Sequence, residues 1–255
     1  MNENTRLKSV SDLLKGAFEQ YKKHFNTLVP IMLVAGIGMY LQSIFMYMAI
    51  DSTNLNATFG VLSLVAAVVY LVGMIWGTVA LINQINKLDQ PMTLGQAYSA
   101  AKPFIWPMII TGLLVGIFTI IGFILVVIPG IIVAVWLSFA LFIVVAENKS
   151  GMAAVKASKE YVTGYWWPIF GRLIVIGLVV GIIAAVIGSI AGVVLGEMIG
   201  ILVQNILSLA LTPLAMLYQY SLYKNVKEVK GMSGSMSTPS SQSPVTNIPA
   251  NSANV

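Results

Sequence analysis

Few residues in this chain carry the side chains that catalysis or ligand binding usually needs. The chain has one histidine, His24, and no cysteine, so a histidine-rich metal site and thiolate chemistry are both excluded. No GxSxG, HExxH or phosphate-binding P-loop pattern occurs along it. We therefore predict no catalytic, cofactor-binding or metal-binding residue and expect a protein that is not an enzyme.

Glu147 is the first residue to consider, because it is a lone carboxylate at the point where a long apolar run stops. A carboxylate at the end of a membrane span could bind a cation or relay protons. It could also pair with a nearby lysine, or with Arg172, which lies about one turn inside the next apolar run. Arg172 could extend to the membrane interface or bind a lipid phosphate. An enzyme would require Glu147, His24 and Arg172 to meet in one pocket.

Polar side chains also enter the last apolar run of the chain, ahead of Pro213. They are Gln204, Asn205, Ser208 and Thr212. Groups of this kind usually form hydrogen bonds between membrane helices. They could instead line a substrate path, because a helix broken near the midplane of the membrane is a feature of transporters. The candidates for lipid or solute contact are therefore Glu147, Arg172, Gln204, Asn205 and Thr212.

The composition is that of a membrane protein. Hydrophobic residues make up 58% of the chain and charged residues 9%, whereas charged residues form about 25% of a typical soluble domain. The apolar residues occur in blocks of about twenty or more, long enough to cross about 30 Å of hydrocarbon. The net charge is +5, and the positive residues lie between these blocks. We therefore expect anionic lipid headgroups as partners and no nucleic acid. Residues 1–24 are polar and charged, so no cleaved signal peptide is expected.

We predict an all-α, polytopic membrane protein with six transmembrane helices. The spans are placed at about residues 26–50, 59–84, 103–127, 131–146, 168–191 and 201–223, in a membrane domain of residues 9–230. Residues 1–8 form an N-terminal tail, and residues 231–255, rich in Ser, Pro and Asn and without charge, are predicted to be disordered.

Two turns are predicted inside long apolar runs. A single helix from Pro103 to Ala146 would be about 66 Å long, twice the hydrocarbon thickness, so Pro129-Gly130 is predicted to turn the chain. The second turn is predicted near Gly192–Gly200, where a charged residue interrupts the apolar run.

The positive charges all fall on one side of this arrangement. All 14 Lys and Arg residues lie before the first span, after the last, or in the loops on that same side. The opposite side keeps only Asp51 and Glu197. The positive-inside rule then places both termini in the cytoplasm, and Trp106, Trp166 and Trp167 lie at the cytosolic interface as an aromatic belt.

A threefold repeat is also predicted. Each pair of spans follows a short cytosolic segment with apolar residues at helical spacing, and two of the segments, Leu14–Pro30 and Met152–Pro168, have the same length. We therefore predict three hairpins, each preceded by an amphipathic helix. Residues 9–25 form the first of these helices, which could lie in the membrane interface or pack on the cytosolic ends of the bundle. Any hairpin protein with cytosolic loops would show a similar pattern.

The stretch from Val126 to Trp167 also resembles a known family. Val127-Ile128-Pro129-Gly130-Ile131, a span ending at Glu147, then Ala154-Val155-Lys156-Ala157-Ser158 and Gly164 before an aromatic cluster, are similar to the six-helix membrane domain found fused to some bacterial glycerophosphodiester phosphodiesterases, and to stand-alone membrane proteins related to it. This chain departs from that pattern at Leu141-Phe142, where such proteins often carry a proline, and no phosphodiesterase activity is implied. The resemblance implies a multi-pass module of the prokaryotic cell membrane, connected with lipid or envelope homeostasis.

Two functions are therefore compared. The first is a non-enzymatic integral membrane module, acting as a scaffold or as a lipid or envelope homeostasis factor. The alternative is a small-solute or lipid transporter or permease, indicated by the repeat and by the polar sixth span. Either could form a homo-oligomer or bind a membrane protein. A cavity lined by Gln204, Asn205 and Thr212 would favour transport, and a dry, glycine-packed interior would count against it.

Overall fold

The computed structural model of the chain describes residues 7–51 and 57–236. Those residues are almost entirely helical, and no strand occurs among them. The predicted all-α class is therefore confirmed for this part of the chain. Residues 1–6 of the predicted N-terminal tail and residues 237–255 of the predicted disordered tail lie outside the described residues.

The helices follow one another with short connections. In chain order they are α1 (Val10–Lys23), α2 (Phe25–Ala35), α3 (Ile37–Asp51), α4 (Ala57–Asn86), α5 (Leu94–Leu125), α6 (Val127–Trp136), α7 (Ala140–Ala146), α8 (Met152–Val162), α9 (Trp166–Leu195) and α10 (Glu197–Met236).

Five segments are long and apolar enough to cross a membrane. They are α4, α5, the α6–α7 pair, α9 and α10. A sixth candidate is the α2–α3 pair, which bends by 44° at Gly36. Leu209 of α10 packs against the bend, since a Cβ on Gly36 would lie 2.0 Å from Leu209 Cδ1. The described part of the chain is thus all-helical with five or six candidate membrane spans.

The turn predicted at Pro129-Gly130 is wrong by three residues. The helix breaks at Val126, whose backbone is extended (φ −170°, ψ 157°), and α6 then packs back against α5. Pro129 lies within the first turn of α6, where its missing N–H would have had no helical partner. Gly130 instead allows α6 to pack closely against α5, because a Cβ on Gly130 would lie 2.5 Å from the ring of Phe123.

The turn predicted within Gly192–Gly200 is present. The helix breaks at Gly196 (φ 102°), a left-handed conformation that residues with a Cβ rarely adopt, and α10 begins at Glu197. On either side the two helices approach closely, since a Cβ on Gly200 would lie 2.5 Å from the Cα of Gly192. The glycine series therefore provides both a turn and a close helix crossing.

The three predicted cytosolic segments are not alike. The first and third are separate helices, α1 and α8, but the second is continuous with its span in α5, which contains both Pro103 and Pro107. Thr111 Oγ1 also donates to the Pro107 carbonyl oxygen (2.8 Å) within this helix. No helix boundary therefore occurs at Pro103, where the third span was predicted to begin.

Helix α10 is longer than predicted, and α1 packs along it. Its 40 residues extend to Met236 and span about 60 Å, so the first six residues of the predicted tail are helical. The Lys8 N–H donates to Asn225 Oδ1 (2.7 Å), and Tyr21 Oη donates to the Ala210 carbonyl oxygen (2.9 Å). Leu13, Ala17 and Tyr21 are buried, so this part of the apolar face of α1 packs on the bundle, whereas Phe18 and Phe25 remain exposed.

Candidate functional site

The loop between α7 and α8 places Glu147, the carboxylate singled out in the sequence. Glu147 caps α7 with its N–H bonded to the Ile143 carbonyl, and Asn148 follows with φ 53°. Asparagine is one of the few non-glycine residues that adopt this conformation readily. Gly151 (φ 57°) then starts α8, and its N–H donates to Thr111 Oγ1 of α5 (2.8 Å). The loop is therefore held by its own backbone and by α5.

The Glu147 carboxylate accepts four hydrogen bonds from three segments of the chain. Oε1 accepts from Tyr161 Oη at 2.8 Å, from Tyr223 Oη at 2.6 Å and from Lys227 Nζ at 2.8 Å. Oε2 accepts from Lys149 Nζ at 2.8 Å. We call Glu147 with these four donors the Glu147 cluster. It joins the end of α7 and the following loop to α8 and α10.

The two donors from α10 share one face of that helix, because Tyr223 and Lys227 are four residues apart. The ring of Tyr223 is held by its neighbours: its centroid lies 5.8 Å from that of Phe139, 6.4 Å from that of Phe142 and 5.9 Å from that of Tyr161. Phe139 is fully buried. Aromatic packing thus fixes the position from which Tyr223 donates.

The electrostatics of the cluster keep Glu147 ionised. Only 7% of its side chain is exposed, and this burial opposes the charge. Hydrogen bonds from Lys149, Lys227, Tyr223 and Tyr161 outweigh burial and lower the pKa of Glu147 from 4.5 to about 2. Burial and the same carboxylate raise the pKa of Tyr161 above its ordinary value. Near neutral pH Glu147 is therefore ionised and the Tyr161 hydroxyl keeps its proton.

This geometry limits what Glu147 can do chemically. Both carboxylate oxygens already accept hydrogen bonds within the protein, with three donors on Oε1 and one on Oε2. A pKa of about 2 also lies far below the value near 7 that suits a general base or a proton relay at neutral pH. The cluster is therefore suited to joining helices and poorly suited to moving protons.

A second polar contact supports the break between α6 and α7. Ser158 of α8 is fully buried; its hydroxyl donates to the Trp136 carbonyl oxygen (2.7 Å) and accepts from the Phe139 N–H (3.1 Å). These are backbone groups that flank the break at residues 137–139. Helix α8 is therefore bonded to the bundle at Gly151, Ser158 and Tyr161.

Arg172 lies elsewhere and does not contact Glu147. Its Nε and Nη2 donate to the Lys8 carbonyl oxygen at 3.2 and 2.8 Å, and its Nη1 donates to the Pro168 carbonyl oxygen at 2.9 Å. Of the two pairings proposed for Glu147 from the sequence, the structure has the lysine pairing. Arg172 instead attaches the segment before α1 to the start of α9.

The polar residues of α10 face different surroundings. Gln204 is exposed beside Gly188 and lines an open pocket of about 330 Å³ near the Gly196 turn. Asn205 Nδ2 donates to Ser43 Oγ of α3 (2.9 Å), and Thr212 Oγ1 donates to the carbonyl of Ser208 in its own helix (2.8 Å). Asn205 therefore bonds between helices, as membrane polar groups usually do.

The three residues that an enzyme would need to bring together have separate positions. His24 forms the connection between α1 and α2, Arg172 contacts Lys8 and Pro168, and Glu147 contacts its four donors. Within residues 7–51 and 57–236, no group of three His, Cys, Asp or Glu side chains could hold a metal ion.

Sequence reasoning missed most of the Glu147 cluster. Tyr161, Tyr223 and Lys227 lie 14, 76 and 80 residues from Glu147, and no local pattern links them to it. The available signal was the four-residue spacing of Tyr223 and Lys227 at the end of the last apolar run, which places a hydroxyl and an ammonium group on one helix face.

Comparison with known proteins adds no family assignment: no family model, curated protein or solved structure matches the chain.

Proposed function

We propose that this chain is a non-enzymatic integral membrane module that acts as a scaffold or as a lipid or envelope homeostasis factor. The observation that carries the proposal is the Glu147 cluster, in which the most distinctive carboxylate of the chain accepts four hydrogen bonds from other parts of the protein. A group whose hydrogen bonds are all internal holds helices in place and leaves little capacity for substrate chemistry.

The proposed arrangement is six spans in three hairpins, with amphipathic segments and both termini on the cytoplasmic side of a prokaryotic plasma membrane. It is supported by the distribution of all 14 Lys and Arg residues. Anionic headgroups at that face are the proposed lipid partners. A second copy of the chain or another membrane protein is the proposed protein partner.

Single cysteines test this topology, because the chain has none of its own. Asp89 and Glu197 are both exposed, and the proposal places them on opposite sides of the membrane. A membrane-impermeant maleimide is expected to label Glu197→Cys in intact cells and Asp89→Cys only after permeabilisation. The reverse pattern, or labelling of both in intact cells, would overturn the proposed orientation.

The functional proposal is tested by what accompanies the protein. The chain is extracted with its surrounding lipid in polymer nanodiscs, and the material is analysed by mass spectrometry. A scaffold or homeostasis factor is expected to retain a protein or lipid in fixed ratio to the chain. An unrelated six-span protein extracted in the same way is the control. Retention of nothing beyond what the control retains would contradict the proposal.

Transport is the second candidate, and one observation favours it. Two candidate spans are interrupted, by the bend at Gly36 and by the break at residues 137–139. Within the second break, the buried hydroxyl of Ser138 has no hydrogen-bond partner in the described structure. Broken helices with unpaired polar groups occur at transporter binding sites. A small solute held in fixed ratio to the chain in the same nanodiscs would favour this candidate over the first.

A further inference from the structure

An apolar groove runs along the side of the bundle between α5 and α6 and is closed at one end by α8. Its volume is about 390 Å³, within the range of roughly 300–1,000 Å³ that is typical of ligand pockets. Phe118 and Ile121 of α5 face Val133 of α6 across it, and nearly all of its lining is apolar. The groove is therefore shaped for a hydrocarbon chain.

The end of the groove formed by α8 is positively charged. Lys156 and Lys159 both line it, and they lie one helical turn apart. Both are exposed, and neither forms an ion pair within the described part of the chain. Lys159 Nζ lies 4.6 Å from the ring centroid of Trp136, at the same end of the groove. This cation–π contact keeps one ammonium group next to the apolar lining.

Helix α8 holds the two lysines rigidly against the groove. Ser158, between them in sequence, is bonded to the backbone of α6 and of the break after it. Gly151 and Tyr161 bond the two ends of α8 to α5 and to Glu147. The positive charges are therefore part of a preorganised surface, which reduces the entropy lost when a ligand binds.

Two other apolar grooves on the bundle lack this charge. One, of about 420 Å³, lies between α4 and α5, and the other, of about 630 Å³, lies between α6 and α9 beside Trp166 and Trp167. Neither has a lysine or arginine in its lining. Only the α5–α6–α8 groove among these three combines a place for an acyl chain with a place for a phosphate.

We propose that the α5–α6–α8 groove binds one anionic phospholipid, with an acyl chain between α5 and α6 and the phosphate on Lys156 and Lys159. This inference goes beyond the proposed function, because a scaffold, a homeostasis factor or a transporter could each carry such a site. Its test uses purified protein and defined lipid, so failure here would leave the nanodisc experiment unaffected.

Native mass spectrometry of the purified protein in mixed micelles tests the site. The probes are dioleoyl phosphatidylglycerol, which is anionic, and dioleoyl phosphatidylcholine, which has the same chains and no net charge. The wild-type chain is expected to retain one phosphatidylglycerol in preference to phosphatidylcholine. Each lysine contributes to the free energy of binding an anionic headgroup. Replacing both, as K156Q with K159Q, should therefore weaken phosphatidylglycerol binding roughly 10- to 30-fold.

The matched control is K22Q with K23Q. It also removes two positive charges, but from α1. There too one lysine lies over an aromatic ring, since Lys22 Nζ is 5.0 Å from the ring centroid of Phe18. This control is expected to retain the lipid. Equal weakening by the two double variants would show a general charge effect and overturn the proposal, as would wild-type protein that retains both lipids equally or neither.

A variant that leaves both lysines in place tests the acyl-chain half of the site. Val133→Phe adds volume inside the groove and is expected to lower phosphatidylglycerol retention about as far as the lysine variant does. Undiminished retention in folded Val133→Phe protein would contradict the proposed position of the chain. If that variant does not fold, the smaller Val133→Leu takes its place, with the same expected direction.

Discussion

Two regions of this molecule hold helices together by different physical means. The Glu147 cluster joins α7, α8 and α10 through four directed hydrogen bonds to one carboxylate. The crossing of α9 and α10 near the Gly196 turn, which we call the glycine crossing, has Gly200 against the backbone of Gly192 and Gly188 against Gln204. Exposed apolar side chains lie beside it, such as Val193, which is 89% exposed.

The difference follows from what surrounds each region. Helices in lipid gain little from burying apolar side chains against each other, so they associate by close van der Waals contact, which small residues permit. A charged group costs little free energy where it is paired and lies at the end of a span, so it can join helices there. The Glu147 cluster should therefore respond to charge and pH, and the glycine crossing to side-chain size alone.

The largest expected effect is at the glycine crossing. Gly200→Val would place a Cβ 2.5 Å from the Cα of Gly192, a backbone atom that cannot move aside without separating the helices. We expect a loss of about 3 kcal/mol in the free energy of unfolding, measured by denaturant titration in micelles.

Gly177→Val is the matched control for this change. A Cβ on Gly177 meets no atom within 4 Å, so the same substitution should cost much less there. Similar losses in the two variants would mean that the close approach of α9 and α10 is not what the glycines provide.

The next effect is loss of the carboxylate charge. Glu147→Gln keeps the shape of the side chain but removes the charge and replaces one acceptor oxygen with an NH2 donor, so we expect a loss of about 2 kcal/mol in the free energy of unfolding. Glu160→Gln, which removes a nearby exposed carboxylate that forms no ion pair among the described residues, is the control. Equal small losses in both variants would contradict a structural role for the cluster.

Acid should act on the same group. The pKa of Glu147 is lowered in the folded chain from 4.5 to about 2. The ionised carboxylate therefore stabilises the fold fully above pH 4.5, and this stabilisation is lost as the pH falls from 4.5 toward 2. Between pH 5 and pH 3 we expect a loss of about 1–2 kcal/mol that is absent in Glu147→Gln. Unfolding measured at both pH values in both proteins checks this, and an identical pH response in the two would refute the linkage.

The smallest expected effect is removal of one donor. Tyr161→Phe leaves three hydrogen bonds on Glu147 and should cost about 1 kcal/mol. Tyr165→Phe is the control, since no hydrogen bond to its hydroxyl is found in the described structure. If Tyr165→Phe costs as much as Tyr161→Phe, the phenol hydrogen bond contributes nothing specific.

The amino-acid sequence by itself determined the helical class and the presence of several candidate spans, because apolar block length against bilayer thickness leaves few alternatives. It also placed a turn near Gly192–Gly200, where Glu197 interrupts the apolar run, and the helix breaks within that range at Gly196. It was wrong at Pro129, because proline in the first turn of a helix looks the same in sequence as proline in a turn. It did not show that α5 continues through Pro103, because whether a proline ends a helix or lies within one depends on the groups packed around it.

The tertiary structure alone decided what Glu147 does. Its partners come from residues up to 80 positions away, and a contact of that kind depends on how helices pack. The same holds for the α5–α6–α8 groove, where Trp136 and Lys159 belong to different helices. Local spacing determines which residues share a helix face, whereas only packing determines which faces meet.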